Sequence, residues 1–103
     1  MNDGDNRYPV KITVLRRTLN EDFLAQYATS KWDQCERLTE GQVFISRNME
    51  MPDGFCSHAW QVLYPFVFIQ ARGGRMQGTK DGGFLSCCND GFRPVFFKIE
   101  KAT

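Results

Sequence analysis

The alternation of apolar and polar residues along the chain predicts four β-strands. In residues 11–16, β-branched and polar side chains alternate, so Ile12 and Val14 share one face of a strand. Apolar runs bounded by turn-forming residues predict three more strands, at residues 41–46, 84–88 and 93–100. The Asn-Asp-Gly sequence between the last two strands is typical of a hairpin turn, and Pro94 predicts an edge position for the final strand.

The first of two predicted helices begins after Asn20. Asn20 is a good capping residue, and the acidic Glu21 and Asp22 that follow it favour a helix start. This helix is expected to run to about Ala28. Residues 29–40 are mostly polar and predict a loop.

The second predicted helix, residues 56–72, is apolar on nearly every side. One stripe along it is formed by Trp60, Leu63, Val67 and Ala71, and other apolar residues cover much of the remaining surface. Such a helix is expected to be buried on several sides. Pro65 lies inside it and predicts a kink or a split, because proline removes one backbone hydrogen bond.

The order β-α-β-α-β-β indicates an α+β fold: a small, mostly antiparallel sheet packed on one long, buried, proline-kinked helix. A chain of 103 residues fits one domain. We assign the domain to residues 9–103 and predict that residues 1–8, which are polar and acidic, form a disordered tail.

Charge and hydropathy narrow the range of partners. The 13 basic and 12 acidic residues leave no basic excess for a phosphate backbone, so no nucleic-acid partner is expected. The longest apolar run, residues 59–71, is shorter than the roughly 20 residues that span a bilayer, and the start of the chain does not look like a signal peptide. We therefore expect a cytoplasmic protein, not bound to a membrane, whose cysteines are reduced.

Several motifs occur together in a characteristic order. They are Glu-Gly-Gln-x-Phe at 40–44, Met-Pro-x-Gly-Phe-Cys at 51–56, Ala-Trp at 59–60 and Cys-Cys-x-Asp-Gly-x-Arg-Pro-Val at 87–95. In these motifs the chain resembles a family of short, uncharacterised, single-domain bacterial proteins that are common in anaerobes. The resemblance covers nearly the whole chain and implies no established activity. Glu36, Ser57 and Pro65 depart from the family pattern, which has proline after the first two cysteines and none at position 65.

The cysteines are the main candidates for chemistry. The predicted metal ligands are Cys35, Cys56, Cys87 and Cys88. Four thiolates suit zinc or an iron–sulfur cluster, and His58 is a substitute ligand. The spacing lacks the close pairs of most zinc sites. Because adjacent residues of a strand point to opposite faces, Cys87 and Cys88 reach one ion only if the strand bends or ends there.

Thiol chemistry is the second interpretation. Cys56 is predicted to lie at a helix N-terminus, where the helix dipole lowers the pKa of a thiol. Cys56 and His58 are the candidate catalytic pair of a thiol redox protein or small enzyme, and the sequence does not decide whether the protein is an enzyme. Trp60, Asp90 and Arg93 are candidates for binding a cofactor where the helix start and the hairpin turn meet.

A third interpretation gives the cysteines no chemistry. Free cysteine packs like a small hydrophobic residue, so the protein would be an interaction module. Exposed aromatics on the predicted edge strand, Phe96 or Phe97, would support a homodimer. The leading prediction is a cytosolic metal- or iron–sulfur-binding accessory protein, whose partner enzyme, given the resemblance, would belong to anaerobic metabolism. The alternatives are a thiol protein using Cys56 and the interaction module.

Overall fold

The computed structural model describes residues 7–102 and confirms the predicted α+β fold. The elements in chain order are β1 (Val10–Arg17), α1 (Glu21–Tyr27), β2 (Val43–Ser46), α2 (Ser57–Ala71), β3 (Phe84–Cys87) and β4 (Val95–Lys101). Residues 1–6 of the predicted tail lie outside the described residues, whereas the backbone N–H of Tyr8 donates to the Ala71 carbonyl at 2.8 Å. Within the described range, no helix is long and apolar enough to cross a bilayer.

The four strands form an antiparallel sheet in the order β2-β1-β4-β3. Ile12 on β1 stands opposite Phe44 on β2 and Ile99 on β4. Strand β4 pairs with both β1 and β3, so the edge position predicted from Pro94 is wrong. Pro94 precedes the first residue of β4, and its carbonyl accepts hydrogen bonds from the Thr18 N–H at 3.1 Å and the Thr18 hydroxyl at 2.6 Å.

The core lies between one face of the sheet and helix α2. The sheet contributes the buried side chains Val10, Ile12, Val14, Phe84, Val95, Phe97 and Ile99, and α2 contributes Ala59, Leu63, Val67 and Ala71. The α2 residues recur every four positions, which places them on one side of the helix. Removing this apolar surface from water is the main contribution to stability.

Helix α2 is buried on one side only. Tyr64, Phe68 and Ile69 are between 37% and 40% exposed. The prediction of burial on several sides is wrong, because within residues 7–102 the sheet is the only layer that covers α2. The helix is continuous through Pro65 and is not split there. Pro65 lies on the exposed side, where water can hydrate the carbonyl that lacks an amide donor.

Phe96 and Phe97, the aromatics predicted at an edge, lie on opposite faces of a central strand. Phe97 is fully buried, and its ring centre lies 5.6 Å from that of Phe55. Phe96 is half-buried on the other face, with the Arg16 guanidinium 5.7 Å from its ring centre. The prediction that they form an exposed edge is therefore wrong, and homodimer formation stays a prediction.

Candidate functional site

Helix α1 is not part of the core. None of its seven residues is buried, although Phe23, Leu24 and Tyr27 are apolar. Isolated helices shorter than about 12 residues are marginal in water, so contacts outside α1 must hold it in helical form. Residues 19–33, which include α1, are termed the arm.

The arm is attached to the loop between β3 and β4 through Asn20. The Asn20 backbone N–H donates to the Phe92 carbonyl and its side-chain amide donates to the Gly91 carbonyl, both at 2.8 Å. Asn20 is the N-cap residue, but the predicted side-chain cap is wrong, because its side chain accepts no hydrogen bond from the N–H groups of the first helical turn. The Asn20 carbonyl accepts from the Leu24 N–H at 3.0 Å, which begins the helix.

The arm carries exposed aromatic rings. Phe23 is 47% exposed, Tyr27 66% and Trp32 36%. The ring centres of Phe23 and Tyr27 lie 6.4 Å apart, as expected for residues one helical turn apart. An apolar cavity of about 370 Å³ beside them is lined by Phe23, Tyr27, Gly91 and Phe92. Contiguous exposed apolar surface of this kind marks interaction sites.

A larger cleft of about 600 Å³ lies between α1 and the segment that follows it. Its apolar lining is made by Leu19, Leu24, Ala25, Ala28 and Trp32, and its polar lining by Glu21, Thr29, Ser30, Lys31 and Asp33. The cleft combines an apolar surface with charged groups, the composition of sites that bind an amphipathic ligand.

Asp90 and Arg93 are linked to this cleft through Trp32, one of its lining residues. Asp90 Oδ2 accepts from Arg93 Nε at 3.0 Å. The Arg93 guanidinium lies 4.9 Å from the centre of the Trp32 ring, a cation–π contact. Trp32 also packs edge-on against Phe92, with ring centres 5.2 Å apart.

Trp60, the third predicted cofactor-binding residue, lies in a different aromatic cluster. Its ring centre is 6.2 Å from that of Phe55 and 5.7 Å from that of Tyr64 on α2. The Arg93 guanidinium packs on Trp32 and Asp90 pairs with Arg93, whereas the aromatic partners of Trp60 are Phe55 and Tyr64.

Cys87 and Cys88 point to opposite sides, as expected for adjacent residues at the end of a strand. Cys87 pairs with Phe96 and shares the face of the sheet that α2 does not cover. Cys88 packs against the core, and its Sγ accepts from the Val95 N–H at 3.3 Å. Burial, with a smaller contribution from the neighbouring Cys88, raises the pKa of the Cys87 thiol.

Cys35 and Cys56 are half-buried and pack against the core. Cys56 lies at the N-terminus of α2, as predicted; it is the N-cap residue there, and its thiol makes no cap hydrogen bond. The Cys35 carbonyl accepts from Arg17 Nη1 at 2.9 Å, which holds its loop beside the end of β1. His58 is exposed in the first turn of α2.

The predicted ligands do not form a ligand set. Among residues 7–102, no three side chains of His, Cys, Asp or Glu are grouped closely enough to hold a metal ion. The arrangement therefore does not fit a closed four-thiolate zinc site, and neither does it gather Cys56, His58 and Asp90 at one point. Metal binding through the four cysteines, and catalysis by Cys56 with His58, stay predictions.

Comparison of the chain with family models, with curated proteins and with solved structures found no match. The resemblance to an anaerobe-associated family stays a prediction for the same reason.

Sequence reasoning did not single out the arm. The available signal was the pair Phe23 and Tyr27, four residues apart on a short helix flanked by acidic residues. Two aromatic residues at this spacing can lie on a helix face that is buried in the core or on one that is exposed. Only the tertiary structure shows which of these applies to α1.

Proposed function

We propose that this chain is an interaction module that binds a partner protein through the arm. The observation that carries the proposal is that α1 buries none of its residues against the rest of residues 7–102, while it exposes Phe23 and Tyr27. Covering these rings would remove apolar surface from water, at about 25 cal/mol per Å². It would also stabilise the short helix that presents them.

The residues around the arm have the composition of an interface centre. Trp, Tyr and Arg dominate the binding energy of protein interfaces. Here Tyr27 lines the cavity, Trp32 lines the cleft, and Arg93 packs on the Trp32 ring. Asp90 holds Arg93, and Asn20 holds the start of the helix. A surface held in this way loses less conformational entropy on binding.

The cysteines have a packing role in this proposal. Cys35, Cys56 and Cys88 are partly buried and contact the core, where a thiol behaves as a small hydrophobic group. No catalytic step is assigned to them.

The proposal is tested by site-specific photocrosslinking in cells that make the protein. A benzophenone amino acid replaces Tyr27 in one variant and Phe68 in a control, since Phe68 is an exposed aromatic on α2 and outside the arm. We expect a discrete protein adduct from position 27 and none from position 68. No adduct from position 27, or the same adducts from both, would refute the arm as a binding surface.

A further inference from the structure

The arm is acidic, whereas the chain as a whole is almost neutral. It contains three carboxylates, Glu21, Asp22 and Asp33, and one ammonium, Lys31, which gives a net charge of −2. All four side chains belong to exposed residues. Within residues 7–102 none of them forms an ion pair, whereas Glu40, Asp81, Asp90 and Glu100 are each paired with a cation.

Two of the three carboxylates line the larger cleft. Glu21 and Asp33 both line it, together with Trp32 and with Leu24 and its apolar neighbours. A ligand that places apolar side chains in the cleft therefore brings its flanking groups close to negative charge. Where a bound ligand partly excludes water, these carboxylates favour a positively charged ligand over a negatively charged one.

We infer that the arm binds a basic, amphipathic segment of a partner protein. The apolar side chains of this segment would occupy the cleft, and the Lys or Arg side chains of the segment would pair with Glu21, Asp22 and Asp33. The inference rests on the proposed function and adds the chemistry of the partner.

The same charges argue against the other occupants of an apolar surface. A second copy bound across a twofold axis would bring two identical acidic arms together, and like charges across an interface are unfavourable. Nucleic acids and anionic membranes carry negative charge as well, so the arm would repel both. A basic segment is the occupant that the charge of the arm attracts.

The inference is tested with two synthetic helical peptides that share one leucine-rich face. One peptide carries lysines beside that face and the other carries glutamates. Binding is followed by Trp32 fluorescence in a Trp60→Phe background, which removes the other tryptophan signal. We expect the lysine peptide to bind, with an affinity that falls as salt is added, and the glutamate peptide to bind much more weakly.

The matched variants test whether the arm supplies the charge. Glu21→Gln with Asp33→Asn should weaken binding of the lysine peptide by roughly threefold to twentyfold, the range for two exposed ion pairs. Glu50→Gln with Asp53→Asn removes two exposed carboxylates outside the arm and should leave binding unchanged.

Three results would overturn the inference. They are equal binding of both peptides, no binding of either peptide, and equal weakening by the two double variants. Concentration-dependent dimers that Tyr27→Ser abolishes in analytical ultracentrifugation would also overturn it, since the occupant would then be a second copy. A crosslink from position 27 combined with any of these results would retain the proposed function, whereas no crosslink would refute that function itself.

Discussion

Asp90 holds the Arg93 side chain against Trp32. Asp90 Oδ2 accepts from Arg93 Nε at 3.0 Å, and the Arg93 guanidinium lies 4.9 Å from the centre of the Trp32 ring. Asp90 Oδ1 also accepts from the backbone N–H groups of Phe92 at 3.0 Å and Arg93 at 3.2 Å. One carboxylate therefore orders the β3–β4 loop and the end of the arm together.

We predict that Asp90→Ala lowers the free energy of unfolding by about 1–3 kcal/mol, because partly buried donors lose their acceptor. In a Trp60→Phe background, emission from Trp32 should shift to longer wavelength as its contact with Arg93 loosens. Urea titrations followed by circular dichroism and fluorescence measure both effects. The control Asp53→Ala removes an exposed carboxylate and should change stability by less than about 0.5 kcal/mol. Equal effects of the two variants would contradict the role given to Asp90.

Substitutions in the arm and in the core should have very different effects on the free energy of unfolding. Tyr27→Ser is expected to change the free energy of unfolding by less than about 0.5 kcal/mol, because Tyr27 is 66% exposed. Leu63→Ala removes a side chain with no exposed surface and should cost about 2–5 kcal/mol. Denaturant unfolding of both variants measures the contrast. A large loss in Tyr27→Ser would show that α1 is part of the cooperative core and would weaken the case for a binding surface.

The strands and helices were predictable because local pattern and burial agree. The alternation around Ile12 and Val14 matches the buried face of β1, and the apolar segment before Gly73 matches α2. For β1 the side-chain period equals the period of the strand. For α2 the length of the apolar run and the glycines that end it identify the helix.

The strand order and the arm were not predictable because they depend on contacts between distant parts of the chain. Ile99 pairs with Ile12 on β1 and with Phe84 on β3, which places β4 inside the sheet, and no local pattern around Pro94 predicts these pairings. The Asn20 side chain donates to the Gly91 carbonyl, and it accepts no cap hydrogen bond from its own helix. The same applies to the cysteines, since Cys35 reaches the core only through the fold of a polar loop.

Cys87 should be a slow nucleophile at neutral pH. Burial is the main cause of its raised pKa, so less of the thiol is ionised at a given pH than in a free cysteine. In a Cys88→Ser variant, which keeps this burial, iodoacetamide should modify Cys87 more slowly than it modifies a cysteine peptide. The difference between the two alkylation rates should decrease as the pH rises through the Cys87 pKa, and it should vanish in urea. Mass spectrometry of timed digests measures the rates, and faster reaction than the peptide at neutral pH would instead support thiol chemistry.

Removal of metal should leave the fold unchanged. A structural zinc site contributes its binding free energy to folding, so a chelator destabilises proteins that depend on one. Because no three candidate ligands are grouped among residues 7–102, we expect the same thermal midpoint with and without a chelator. Elemental analysis of anaerobically purified protein is the companion measurement. The metal site predicted from the sequence would be established by three results together. The thermal midpoint would fall with chelator and recover with zinc, and serine at any of the four cysteines would lower it.

The ion pair between Asp81 and Lys98 should make stability depend on pH in the acid range. Lys98 Nζ lies 2.7 Å from Asp81 Oδ2, and the Lys98 side chain and the Gly83 N–H lower the pKa of Asp81. The folded pKa lies below the unfolded value of about 4, so this contribution is present above that value and is lost as the pH falls through the folded pKa. The difference in unfolding free energy between the wild type and Asp81→Asn should therefore shrink between about pH 6 and about pH 3.

The matched control for Asp81 is Asp33→Asn, which removes an exposed carboxylate that forms no ion pair within residues 7–102. Asp33→Asn leaves the pair between Asp81 and Lys98 in place, so its difference from the wild type is the baseline against which the Asp81 effect is judged. Added salt should reduce the Asp81 effect, since both partners are partly exposed and exposed pairs are screened. An Asp81→Asn difference that does not change with pH would show that the pair with Lys98 does not stabilise the folded protein.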